Sequence, residues 1–172
     1  MSHASKAHFL VSTQLKGNSN STSQHIVPKV DGFFGGSSGT LSVSGVSGGD
    51  GDDASGVMTL LTDDSQATPI PIKSKIIKAS MSTWAFGHTN GFTVYLWRRT
   101  VPAGSTISQP MTLVGYCHVD SPTSSGWDQT SSFTFTAENE FTAGDWFSVS
   151  FKQTDDANTN NTVLIGCLFA EL

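Results

Sequence analysis

From Val57 onward the chain repeats one pattern. Hydrophobic residues fall at every second position in short runs, and Gly, Pro, Ser and Asn separate the runs. A period of two is that of a strand with one buried face. The pattern predicts strands over 57–62, 72–86, 92–99, 111–119, 131–137, 145–153 and 162–172. The run "IKSKIIKASMSTWAF" (72–86) is long enough for one strand with a bulge. Asn90-Gly91 between strand patterns predicts a hairpin joining 72–86 to 92–99. In "FTVYLWRR", Phe92, Val94 and Leu96 share one face, and Thr93, Tyr95 and Trp97 share the other. Phe147, Val149 and Phe151 line one face of the next long strand but one.

Residues 1–56 have a different texture. They hold two short strand-like pieces, "HFLVSTQL" (8–15) and "HIVPKV" (25–30), followed by "GGSSGTLSVSGVSGGDGDDASG", which has the composition of a linker. Such a segment buries too little apolar surface to order itself. The chain therefore reads as an all-β protein, an antiparallel β-sandwich or jelly roll over 57–172, preceded by an extended Gly/Ser-rich arm over 1–56. Whether the arm's strands pair with their own sandwich or with a neighbour's is open from sequence.

Composition narrows the function. Of 172 residues only 13% are charged, and the net charge is -5. A nucleic-acid binder would carry a basic footprint, so none is expected as a partner. No apolar run is long enough to cross a membrane as a helix, and the first residues lack the apolar core of a secretory signal. Synthesis in a cytoplasm is the expectation. Cys117 and Cys167 each sit in an apolar strand pattern and read as buried, reduced thiols.

Candidate chemistry is sparse. Gly48-Gly49-Asp50-Gly51-Asp52-Asp53 matches one calcium β-roll repeat, but those repeats work in tandem and this one is single. It reads as a polar turn, with no metal and no cofactor expected. Cys117 and His118 are neighbours in a strand and face opposite ways, which removes a Cys-His pair. His88 reads as a turn residue, and "AENEFTAGD" as the loop before a strand. No enzyme is expected. Lys73, Lys75 and Lys78, with Arg98 and Arg99, suggest a basic band on adjacent hairpin strands, either a solvated edge or a contact for an acidic surface. Tyr95 and Trp97 form an aromatic face that needs a cover, and Trp127 in "SSGWDQTSS" reads as a loop aromatic.

Three stretches together, "IPIKSKIIKASMSTW" with "GFTVYLWRRT", "FTFTAENEFTAGDWFSVSFKQ" and "VLIGCLFAEL", resemble the sandwich modules of tailed-phage virion proteins. Decoration (cement) proteins, head fibres and tail-fibre tips carry this texture. Its most recognisable element is an apolar residue, then Ala143-Gly144-Asp145, then an alternating strand. A related arrangement occurs in trimeric tumour-necrosis-factor-like jelly rolls. The resemblance covers roughly residues 68–172 and implies a jelly-roll-like fold, trimers and a non-enzymatic role; it carries over no catalytic residue. It implies a capsid decoration protein, bound to the major capsid protein and to copies of itself as a homotrimer on the virion surface. Phe9, Val11, Phe33, Phe34, Lys73, Lys75, Arg98 and Arg99 are the expected contacts. The alternative is a fibre module holding a host glycan on Trp127, Trp97 and Tyr95.

Overall fold

The computed structural model describes residues 6–18, 26–27, 39–40, 58–59, 67–85, 92–100, 110–119, 126–130, 132–153 and 160–172. They form strands β1 (His8–Asn18), β2 (Ile26–Val27), β3 (Gly39–Thr40), β4 (Met58–Thr59), β5 (Thr68–Pro69), β6 (Ser74–Ala85) and β7 (Phe92–Arg99). The remainder are β8 (Pro110–Val119), β9 (Gly126–Thr130), β10 (Thr134–Phe135), β11 (Glu140–Phe141), β12 (Trp146–Gln153) and β13 (Asn160–Glu171). Among the described residues there is no helix. The protein is an all-β, jelly-roll-like sandwich of two antiparallel sheets.

In the first sheet β13 lies between β1 and β6, and β6 pairs with β11 at one end and β9 at the other. The second sheet runs β10-β8-β7-β12-β2-β3, with β4 added to β8 and β5 to β12. The first strand-like piece of residues 1–56 belongs to the sandwich itself. β1 pairs with β13 in continuous register from His8 opposite Ala170 to Asn18 opposite Asn160. The question left open by sequence is answered here for β1, which pairs within its own chain.

The expected hairpin at Asn90-Gly91 does not form. β6 pairs with β13, β11 and β9, whereas β7 pairs with β8 and β12. The chain crosses from one sheet to the other between them, and residues 86–91 lie outside the described residues. The bulge in the long strand is real. Phe169 faces Ile76 and Leu168 faces Lys78, so Ile77 is the extra residue. A second irregularity, between Leu96 and Trp97, shifts Trp97 from the expected partner to Leu113 on β8.

The alternating residues build the core. Phe92, Val94 and Leu96 of β7, Phe147, Val149 and Phe151 of β12, and Val163, Ile165, Cys167 and Phe169 of β13 are all buried in one cluster. Phe169 joins the two sheets. Its ring stands edge-on to Phe141 at 5.3 Å and to Phe147 at 5.5 Å, and it stacks on Phe9 at 4.9 Å. Two glycines are required by geometry. A Cβ on Gly115 would lie 3.0 Å from the Phe135 ring and 3.1 Å from the Thr134 carbonyl oxygen. Gly144 has φ +93°, a conformation that L side chains avoid, in the turn before β12.

Replacing Phe169 by Ala removes the ring that touches both sheets, and we expect a loss of about 3–5 kcal/mol by chemical denaturation. Gly144→Ala meets no atom within 4 Å, so any loss is backbone strain alone. We expect about 1–3 kcal/mol in the same measurement, and an unchanged stability would refute the strain.

Candidate functional site

The connector between β10 and β12 closes one end of the sandwich. Thr136 donates from its backbone N to Val114 O at 3.0 Å and from Oγ1 to Leu113 O at 2.9 Å, which holds the connector to β8. Asn139 Nδ2 donates to Ile76 O at 3.3 Å, and Ile76 N donates to Asn139 O, which holds it to β6. Arg98 reaches across from β7. Its guanidinium donates to the carbonyls of Glu138 and Glu140 and pairs with the Glu138 carboxylate at 3.0 Å. The Ala143-Gly144-Asp145 turn then ties in β5. Gly144 N donates to Ile70 O at 2.8 Å, Ile70 N donates to Asp145 O at 2.8 Å, and Asp145 Oδ2 accepts from Thr142 N at 2.7 Å. The turn behind the resemblance is thus a junction between two parts of the fold.

The basic residues do not make one band. Lys73 is exposed just before β6, and Lys75 is half-buried on β6 opposite Glu140. Both belong to the first sheet. Arg98 and Arg99 belong to the second, where Arg98 is engaged in the connector. Arg99 is buried, with its guanidinium carbon 5.4 Å from the centre of the Trp146 ring. Burial lowers the Arg99 pKa from its ordinary value. Phe9 and Val11 pack against the core, so both face the sandwich interior. Their place as outward contacts is corrected by the pairing with β13, which turns this face of β1 inward. Phe33 and Phe34 lie outside the described residues, as do Asp50, Asp52 and Asp53.

Both faces of β7 are closed. Tyr95 is 2% exposed and Trp97 1%, with their rings 5.8 Å apart and Trp97 Nε1 donating to Ser150 Oγ at 2.8 Å. Thr93 Oγ1 and His118 Nδ1 lie 2.9 Å apart beside them. These rings offer no surface to a sugar. The expectation of a loop around Trp127 is also corrected. Trp127 lies in strand β9, opposite Trp84 of β6. Cys117 and Cys167 are free and buried. Burial pushes the Cys167 thiol up to about 12. Among the described residues no cluster of His, Cys, Asp and Glu could hold a metal.

The outward side of the first sheet is what sequence reasoning missed. Leu10 is 68% exposed, and Ile77 and Leu164 are exposed with it. Outer-facing positions run in cross-strand rows. Leu10 faces Leu168 and Lys78, Ser12 faces Gly166 and Ser80, and Gln14 faces Leu164 and Ser82. The signal was present in "HFLV", which is apolar at both phases of the strand period.

No family model matches the chain, and no curated protein matches it. Among solved structures, the Eiger TNF of S. frugiperda is similar over 94% of this chain and 92% of its own, at 13% identity and a TM-score of 0.40. A likeness of that size carries no argument about function.

Two outcomes follow from this geometry. Arg98→Ala frees two backbone carbonyls and one carboxylate, and we expect a loss of about 2 kcal/mol. Glu138→Ala removes an exposed, solvent-screened ion-pair partner and should cost about 1 kcal/mol or less. Equal losses on denaturation would show that the ion pair, not the carbonyl contacts, holds the connector. Cys167, with its pKa raised from 9.0 to about 12, stabilises the fold in full below pH 9. That contribution fades as pH rises toward 12. At pH 8 a thiol reagent should label it only on unfolding, and rapid labelling of the native protein would contradict its burial.

Proposed function

We propose that the chain is a virion structural protein, a decoration or cement protein on the outer capsid shell. It binds the major capsid protein and copies of itself as a homotrimer, and is made in the host cytoplasm. Its action is mechanical: contact area spread across neighbouring capsomers resists the pressure of the packaged genome. The observation that supports this most is the build of the segment behind the resemblance. Phe141 to Val149 is a turn whose Gly144 and Asp145 clamp β5, and whose Phe141 and Phe147 rings pack on Phe169. Such a junction stiffens a sandwich, and stiffness is what a cement protein uses. The exposed apolar face of the first sheet adds to this support, because a sandwich that leaves such a face open suits association.

The glycan-binding alternative loses two of its three rings, since Tyr95 and Trp97 are buried. Lys73, exposed beside the half-buried Lys75, keeps its place among the expected shell contacts.

The test compares particles made with and without this gene. Heated particles lacking the chain should release their genome at a lower temperature, and added purified chain should restore the original value. Unchanged release, with no chain found in purified particles, would sink the proposal. Labelling confined to fibre tips would replace it with the fibre reading.

A further inference from the structure

We draw no further inference here: the strongest candidate, the exposed apolar patch of Leu10, Ile77 and Leu164 on the outer face of the first sheet, carries nothing, because nothing in the structure shows what covers it.

Discussion

The ring of Phe169 lies where the two sheets meet, and the sandwich is organised around it. It touches Phe9 of the neighbouring strand β1, Phe141 of β11, and Phe147 of the opposite sheet. Edge-to-face packing between rings is directional, so these contacts set the relative position of the sheets as well as burying area. β13 is the central strand of the first sheet and β12 is internal to the second. Fixing Phe169 against Phe147 therefore fixes the strands on either side of both. The zipping of β1 along β13 follows from the same placement, because Phe9 can stack on Phe169 only in that register.

Packing alone leaves the open end of the sandwich unsecured, and polar contacts secure it. The connector from Thr136 to Asp145 hydrogen-bonds to β8, β6 and the chain beside β5, and Arg98 holds it from β7. Arg98 contributes mainly through the carbonyls it satisfies, since an exposed carboxylate partner is well solvated. The left-handed Gly144 makes the return into β12 possible without strain. Hydrophobic matching at the centre and hydrogen bonds at the rim thus act on different parts of one assembly.

The two outer faces are chemically unlike, and that difference carries the functional argument. Around β7 and β12 the second sheet is closed by an aromatic and hydroxyl layer within the chain. The first sheet is open and carries leucines and an isoleucine beside small residues. A rigid body closed on one side and apolar on the other is suited to assembly through the open side. A virion decoration protein is the proposed setting in which that property is used.

Much of the fold was legible in the alternation of apolar residues. The long strands, the inward faces of β7 and β12 and the bulge in β6 follow from a period of two, which is a property of the local backbone. Local chemistry could not say which strands would be neighbours. Asn90-Gly91 suits a reversal, yet β6 and β7 went to different sheets because their partners β13 and β12 are far away in the chain. Trp127 looked like a loop residue among polar neighbours, but its backbone pairs with distant Trp84. Along β1, Phe9, Leu10 and Val11 are all apolar, so the alternation was silent about which side would be buried. That choice needed Phe169 in place to receive Phe9. The chain by itself determined the long strands and the class of the fold, since these depend on neighbouring residues. The tertiary structure decided sheet membership, the engagement of Arg98 and the exposure of Leu10, since each depends on a partner that folding alone brings near.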